Sequence, residues 1–451
     1  MRVLRIALLM VFVISLSAGI TPAQAKDKVD LGLEVLPAND GWGSFGPGVT
    51  GGSNAAHDQI YTVTNRSELI AALNDGIYPP PSTTPSNEPK IIYISGVIDA
   101  NVDDNNVPLA CEDYYRDGFT WEAFLATYDP EVWGRIPPTG PLEAARIVSR
   151  NAQQARVRIR VGDNTTIVGL DKHATLRGAW LDIRGTRTSS TYIPRLNVIV
   201  RNITFEDTYD CFPEWVPTDG ALGAWNALYD SISLRETLNV WIDHNTFRDR
   251  ETLDSLAPYY FGVLFQRHDG LLDITNASDY VTVSWNQFVN HDKVMLIGSG
   301  DNAPNDVGRL RVTLHHNLFD GTGQRTPRVR YGQVHIYNNY YKIINNPVYS
   351  YAWGVGIASQ IYAENNYIKT DQSVDPADLI EVYKGTMIYA TGTYMNGTPG
   401  GGFVDVVAAY NALYDPDLIP TVNWTPTLFT DIDPTQRVIP LVESRAGPFN
   451  W

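Results

Sequence analysis

The sequence predicts an all-β protein, a right-handed parallel β-helix with loop insertions, because one short strand motif recurs along it. From about residue 155 onward, six segments alternate apolar and polar residues, which is typical of strands, and end in asparagine and an aromatic or aliphatic residue. These segments are NVIVRNITF, NVWIDHNTF, YVTVSWNQF, RVTLHHNLF, QVHIYNNYY and QIYAENNYI. The aligned asparagines, Asn245, Asn286, Asn317, Asn339 and Asn366, are 41, 31, 22 and 27 residues apart. A constant motif at uneven spacing indicates one coil per motif, with the extra residues in loops on a common side.

Two other repeat architectures fit the motif less well. Helical repeats are disfavoured because each copy has a period of two, is rich in Val, Ile and Thr, and is too short for paired helices. An antiparallel sandwich would not place asparagine at the same point of every copy. In a parallel β-helix, each asparagine can lie at the bend between two strands and bond its amide to that of the next coil. We therefore interpret the asparagines as structural.

The chain begins with a segment that has the pattern of a secretory leader. Arg2 and Arg5 precede the apolar run IALLMVFVIS, and small residues at Ala23 to Ala25 suit cleavage. A membrane anchor is the alternative, but the run is short for a bilayer and no second apolar segment follows. We predict a signal peptide over residues 1–25 and a secreted, extracellular mature protein, without a membrane segment, that forms a single domain over 26–451.

The segments outside the repeat predict a few further elements. GWGSFGPGVTGG is a glycine-rich start, SELIAAL a short capped helix and KIIYISGVI a strand. Residues 101–155 read as an insertion of loops and short helix, and the tail after about Asp405 is expected to pack over the solenoid.

Composition limits the partners of the protein. A net charge of -16 over 451 residues disfavours nucleic acid and anionic membranes, and 43% hydrophobic residues are ample for a core. We expect a monomer. Cys111 and Cys211 are the two cysteines. Outside the cell they could form one disulfide, or they could remain two buried thiols.

Two charged groups suggest chemistry. Asp269 and Asp273 are four residues apart, and Asp230 falls on the preceding coil if the repeats stack, so their carboxylates would repel unless a cation neutralised them. Oxygen ligands without cysteine or clustered histidine favour calcium over zinc, although an Asp pair at this spacing is more often a solvated surface pair. The RTPRVR segment, which contains Arg325 and Arg330, is either a solvated turn or a cationic wall for an anionic ligand.

Together these motifs carry a family resemblance. VWIDHNTF, HDGLLDI, WNQFVNHDKVMLIGSGD and RTPRVR stand in the order and approximate spacing found in the extracellular pectate lyases. YDCFPEW and DGALGAWNALYDSISL resemble the bacterial branch, and the likeness runs from about Gly41 to the end. The resemblance implies calcium-dependent β-elimination of polygalacturonate or pectin, with 4,5-unsaturated oligogalacturonides as products.

The resemblance also implies a role for each matching residue. It assigns calcium to Asp230, Asp269 and Asp273, removal of the C5 proton to Arg325, and substrate carboxylates to Lys293 and Arg330. The arginine cluster is expected one coil beyond the carboxylates, as the opposite wall of the site. Some relatives have an aspartate where this chain has Leu228, so water or substrate would complete the coordination. Because guanidinium groups resist deprotonation, an alkaline pH optimum is expected.

Two rival functions share this fold. A pectin lyase would use the same elimination chemistry without calcium, usually with its calcium ligands replaced, whereas all three acidic positions are present here. A non-catalytic β-helix, such as an adhesin or a carbohydrate-binding module, would need only the asparagine and aliphatic repeats. It would not need Lys293, Arg325 and Arg330 together with the three aspartates.

Overall fold

The computed structural model of the protein describes residues 30–371, 374–396 and 401–451. The predicted signal peptide, residues 1–25, lies outside this part of the chain. The backbone passes through three sheets in a fixed order, coil after coil, and neighbouring strands in each sheet come from successive coils.

The three sheets consist of short parallel strands. The first sheet contains Ile60–Val63, Lys90–Ile94, Thr165–Gly169, Arg195–Arg201, Thr237–Asp243, Asp279–Ser284, Val312–His315, Gln333–Tyr337, Gln360–Glu364 and Ile388–Thr391. The second contains Val97–Asp99, Thr175–Arg177, Thr204–Glu206, Thr246–Arg248, Gln287–Val289, Leu318–Asp320, Tyr340–Ile343, Tyr367–Thr370, Tyr394–Asn396 and an antiparallel last strand, Gly402–Phe403. The third contains Arg158–Arg160, Trp180–Arg184, Ile232–Arg235, Leu272–Thr275, Leu296–Ile297, Arg328–Val329, Trp353–Gly356 and Ile380–Tyr383. The predicted all-β solenoid of parallel strands is confirmed.

The interior of the solenoid is one continuous apolar core that runs from Val63 to Leu418. Aromatic rings of the second sheet stack along it, with centroids 4.8 to 5.2 Å apart from one coil to the next. The stacked residues are Phe205, Phe247, Phe288, Phe319 and Tyr341. Burial of these large rings in register favours stacking of each coil on its neighbours.

The predicted asparagine ladder forms at the bend between the first and second sheets. Each side-chain amide donates to the Oδ1 of the next asparagine, over 3.0, 3.1, 2.9 and 3.2 Å from Asn245 to Asn366. The residue before each ladder asparagine has φ between 51° and 55°, a left-handed conformation that turns the chain. The ladder begins at Asn245, because Ile203 takes the equivalent place in the preceding coil.

Helices close the ends of the solenoid and cover its outside. The α-helices are Arg66–Ala72, Trp121–Thr127, Pro130–Trp133, Pro141–Val157, Val406–Leu413 and Val438–Arg445. Arg66–Ala72 and Val406–Leu413 add apolar residues to the core, and Val438–Arg445 packs on Tyr340 of the second sheet, as expected for the tail. In the described part of the chain, no helix has both the length and the apolar character needed to cross a membrane.

The longest insertions connect the second sheet to the third. They cover residues 100–157, 207–231 and 249–271 and share an aromatic cluster that includes Phe119, Phe212 and Trp225. The first insertion is more helical than expected, because Pro141–Val157 is a 17-residue helix. Of the two states left open for the cysteines, the structure contains the disulfide, which joins Cys111 to Cys211. These loops therefore form a covalently joined wall beside the third sheet.

The ladder should contribute measurably to stability. Asn317→Ala would leave the backbone N–H of Asn286 and the carbonyl of Val283 without their buried partner, at a cost of ~3 kcal/mol. Thermal unfolding should show a lower melting temperature than for Asn54→Ala, which changes an exposed turn residue. Equal melting temperatures for the two variants would contradict a stabilising ladder.

Candidate active site

The outer face of the third sheet brings together two of the three predicted carboxylates. Asp230 lies just before the strand Ile232–Arg235, and Asp273 lies within the adjacent strand, where it pairs with Ser233. The two aspartates thus lie on neighbouring coils, as the spacing of the repeats indicated. Both are buried, with residue exposures of 1% and 8%.

Gly270 allows the two carboxylates to approach each other. Its backbone N–H donates to Asp230 Oδ1 at 3.0 Å, and a Cβ placed on it would lie 2.4 Å from Asp273 Oδ1. The hydroxyl of Ser233 donates to Asp230 Oδ2, and the N–H of Leu296 donates to Asp273 Oδ1 at 3.0 Å. Neutral donors therefore hold both carboxylates without neutralising their charge.

The pKa values of both aspartates are raised, because negative charge is in excess around them. Burial, followed by repulsion from Asp273 and Asp269, raises the pKa of Asp230 well above its usual value. Burial and Asp269 also raise the pKa of Asp273, to about 7, against the opposing effect of Arg325. A bound cation would relieve this repulsion, and the oxygen-only donors are those that calcium prefers.

Asp269 lies near enough to raise the pKa values of both buried aspartates, without joining them in one group. Its carboxylate lies 3.9 Å from Lys293 Nζ. Within residues 30–371, 374–396 and 401–451, no three acidic, histidine or cysteine side chains are gathered in a group that could hold a metal ion. The donor set fits calcium in its chemistry, but Asp269 would have to turn from Lys293 to join the other two carboxylates.

His291 holds the backbone of Asp269 and was missed in the sequence. Its Nε2 bonds the carbonyl oxygen of Asp269 at 2.8 Å, and its Nδ1 bonds Asp249 at 2.6 Å. Both partners are acceptors, so both ring nitrogens carry hydrogen. Burial alone would lower the pKa of His291, but Asp249 raises it to about 9. The only signal in the sequence was its place two residues before Lys293.

Arg325 lies farther along the solenoid than predicted. The third-sheet strand Leu296–Ile297 intervenes between Leu272–Thr275 and Arg328–Val329, so the arginine cluster is two coils beyond the carboxylates, not one. The reason is that two asparagine motifs, those of Asn286 and Asn317, separate Asp273 from Arg325. The intervening coil supplies Lys293, so Lys293 and the arginine cluster lie on two successive coils.

The guanidinium of Arg325 has no carboxylate ion-pair partner within the described residues. Its backbone has φ of 59°, and its carbonyl accepts the N–H of Met295 at 2.8 Å. Its Nε is buried and has no hydrogen-bond partner among the described residues. The same left-handed conformation turns the chain at other bends of the solenoid.

Arg330 already binds a carboxylate of the protein. Its Nε donates to Asp301 Oδ1 at 2.8 Å, and Lys384 Nζ lies 2.6 Å from the other oxygen. Lys384 and Arg330 lower the pKa of Asp301, so it stays ionised. Neither Asp301 nor Lys384 was identified in the sequence, because their meeting depends on the stacking of distant coils.

Comparison with known proteins shows to which family this chain belongs. Residues 140–392 match the family described as pectate lyase, and the chain is 43% identical to the pectate lyase of Bacillus subtilis (strain 168) over 96% of this chain and 97% of that protein. The chain belongs to the pectate lyase family.

Solved structures of pectate lyases have the same fold. A thermostable pectate lyase is 47% identical and superposes with a TM-score of 0.88, covering 94% of this chain and 100% of that one. A pectate lyase bound to a hexasaccharide is 42% identical, with a TM-score of 0.85 and the same coverage. The predicted parallel β-helix and membership of a lyase family are therefore confirmed, and the chain is an enzyme.

Loss of the negative charge at position 273 should stabilise the metal-free protein. The pKa of Asp273 is raised in the folded state, so the stability from its bound proton is complete below about pH 4 and is lost as pH rises through about 7. In chelator, the melting temperature of the wild type should fall between about pH 5 and about pH 9. Asp273→Asn, which can still accept the N–H of Leu296, should melt higher than wild type at the alkaline end.

The control is Asp417→Asn, at an exposed position, which should follow the wild-type profile. If Asp273→Asn melted lower than the wild type in chelator at alkaline pH, the carboxylate repulsion described above would be wrong.

Proposed function

We propose that this enzyme is a secreted, calcium-dependent pectate lyase that cleaves polygalacturonate by β-elimination and releases 4,5-unsaturated oligogalacturonides. One observation carries the proposal: the buried, mutually repelling pair Asp230 and Asp273 is followed on the next two coils by Lys293 and then by Arg325 and Arg330. The two carboxylates need a bound cation to neutralise them, and the lysine and arginine side chains can bind an anionic ligand. The hexasaccharide complex of a related pectate lyase supports a saccharide polymer as the substrate.

Asp230, Asp269 and Asp273 are the residues we assign to calcium. When bound, calcium would withdraw charge from a substrate carboxylate and make the neighbouring C–H bond more acidic. Leu228 offers no oxygen in place of the further aspartate of some relatives, so water or substrate would complete the coordination.

The cationic side chains bind and orient the sugar. Lys293 and Arg330 would hold uronate carboxylates, and Arg330 would exchange Asp301 for the substrate, since the planar guanidinium suits a carboxylate in either case. This positioning would bring the C5–H bond of one galacturonate to the side chain of Arg325. Fixed positive charge around the developing enolate would stabilise the transition state.

Arg325 is the base in this mechanism. In alkaline solution, which removes a proton from the guanidinium, a guanidine nitrogen of Arg325 takes the proton from C5, the C5–H electron pair forms the C4–C5 double bond, and the C4–O bond breaks with its electron pair on the leaving oxygen. Arg325 then releases the proton to solvent. The leaving oxygen takes a proton from solvent. Because no water is added across the glycosidic bond, the product keeps the double bond at its new end.

The remaining assignments rest on the sequence. A leader over residues 1–25, together with a disulfide between Cys111 and Cys211, supports an extracellular enzyme, because such bonds persist in oxidising compartments. We propose that residues 26–451 act as a single domain and as a monomer. A calcium-free pectin lyase remains the second candidate, and the three retained aspartates argue against it.

Replacement of the base should abolish turnover while leaving the fold intact. Arg325→Ala should lower the initial rate on polygalacturonate at least about a hundredfold, followed by the ultraviolet absorbance of the unsaturated product. Lys293→Ala and Arg330→Ala should weaken binding as well as turnover. Arg437→Ala, at a side chain 66% exposed, is the control and should be fully active. Near-normal activity of Arg325→Ala would assign the base to another residue.

Metal and substrate charge should act together. A chelator should abolish activity and calcium should restore it, because carboxylate sites are readily refilled by this ion. At fixed calcium, highly methylated pectin should have a kcat/KM at least about tenfold below that of polygalacturonate, equivalent to ~1.4 kcal/mol of lost transition-state stabilisation. Full activity in excess chelator, or a preference for the methylated polymer, would instead support the calcium-free pectin lyase.

A further inference from the structure

Arginines continue along the outer face of the third sheet beyond the residues that the mechanism uses. Arg160 pairs with Asp182, Asp182 with Ser233, and Ser233 with Asp273. These positions share the outward face, because Ile159 and its equivalents in the register belong to the core. At about 4.8 Å per strand, Arg160 lies roughly 14 Å from Asp273 along the sheet, and about 24 Å from the row of Arg328.

A second row of residues in the third sheet runs from near the strand Arg158–Arg160 to the strand that carries Asp273. Arg184 pairs with Arg235, and Arg235 with Thr275 of the strand that carries Asp273. The Nε of Arg235 is buried and has no hydrogen-bond partner in the described part of the chain. Its charge lowers the pKa values of Asp230 and Asp273, although burial and the other aspartates dominate. An arginine is therefore present on every strand from the carboxylates to the first strand of the sheet, and that of the second strand, Arg184, pairs with Asp182 at 3.2 Å.

The row ends in a cavity of about 350 Å³, here named the arginine cavity. Its charged lining residues are Arg66, Arg156, Arg158, Arg160 and Asp104. Asp104 pairs with Arg156 at 2.9 Å, and Asp182, beside Arg160 in the sheet, pairs with Arg184 at 3.2 Å. Two carboxylates that each have an arginine partner do not balance the remaining guanidinium groups. Within residues 30–371, 374–396 and 401–451, neither Arg158 nor Arg160 has an ion-pair partner.

Burial and the charge of a neighbouring arginine lower the pKa values of two arginines of the cavity. Burial, and then the charge of Arg156, lowers the pKa of Arg66. Burial, and then Arg160, lowers the pKa of Arg158, against the opposing effect of Asp182. Guanidinium groups gathered in one concave site repel each other locally, and a cleft lined by one sign of charge attracts a ligand of the opposite sign.

We propose that the arginine cavity is a distal binding site for carboxylates of the uronate polymer, several sugar residues from the bond that is cleaved. The site depends on the proposed function, since it shares that substrate. Guanidinium groups bind carboxylates through paired hydrogen bonds. Among the described residues Arg160 has no ion-pair partner, and Arg158 lies over the ring of Trp180 without a carboxylate partner, so both can accept one. The distal site would bind a long polyuronate chain to an enzyme whose net negative charge otherwise repels it.

The test compares two double variants that lose the same charge. Arg158→Gln/Arg160→Gln empties the arginine cavity of its unpaired arginines, whereas Lys172→Gln/Arg445→Gln removes two exposed cations on the side of the first and second sheets. KM is measured on long polygalacturonate and on a galacturonate trimer, which is too short to reach from Arg325 to the cavity. Binding of the polymer is measured separately by affinity electrophoresis in chelator, and melting temperatures are recorded.

The distal site predicts that Arg158→Gln/Arg160→Gln raises KM for the polymer at least about fivefold at low salt and leaves KM for the trimer unchanged. The effect should shrink as salt rises. Arg158→Lys/Arg160→Lys, which keeps charge but not the guanidinium fork, should recover part of the loss. Lys172→Gln/Arg445→Gln should match the wild type on both substrates.

Two results would overturn the distal site while the wild type remains active. One is an equal KM for the polymer in both double variants, and the other is an equal rise on polymer and trimer, which would indicate a structural effect. A wild type that binds the polymer but does not cleave it would contradict the proposed function and not the distal site.

Discussion

Parallel stacking in register determines where each outward side chain of this enzyme lies. The asparagine ladder and the stacked rings of Phe247 and Phe288 fix one coil over the next, so residues at equivalent positions recur at about 4.8 Å. Charges placed at such positions cannot move apart. The buried pair Asp230 and Asp273, with its raised pKa values, is a direct consequence. The solenoid holds side chains of like charge close together. A bound cation would relieve the repulsion between the carboxylates, and an anionic polymer that between the cationic side chains.

The same constraint orders the charges along the third sheet. Arginines predominate on the first coils, where Asp182 pairs with Arg184, the carboxylates of Asp230 and Asp273 occupy the next two, and Lys293, Arg325 and Arg330 those that follow. An acidic protein can therefore present cationic groups to a polyanion on both sides of the proposed metal site. The loops between the second and third sheets flank these groups, and the disulfide and their aromatic cluster hold the loops together.

Much of this could be predicted from the sequence, because the repeat is local and its period is visible. The recurring motif identified six of the coils, and it correctly placed Asp230 and Asp273 on neighbouring coils. The count of coils to Arg325 was wrong by one. Other contacts depend on how separate coils meet: the bond from His291 to the Asp269 carbonyl, the pairing of Asp301 with Arg330, and the disulfide. No local pattern encodes these, and the orientation of Asp269 toward Lys293 depends on side-chain rotation as well.

The most direct test of the account is a crystal structure of the Arg325→Ala variant with calcium and an oligogalacturonate. The account predicts a calcium ion held by Asp230, Asp269 and Asp273, with the Asp269 carboxylate turned away from Lys293. A sugar carboxylate should contact Lys293, and another should replace Asp301 on Arg330. Sugar bound on a different sheet, or calcium bound away from the three aspartates while the groove is occupied, would contradict it.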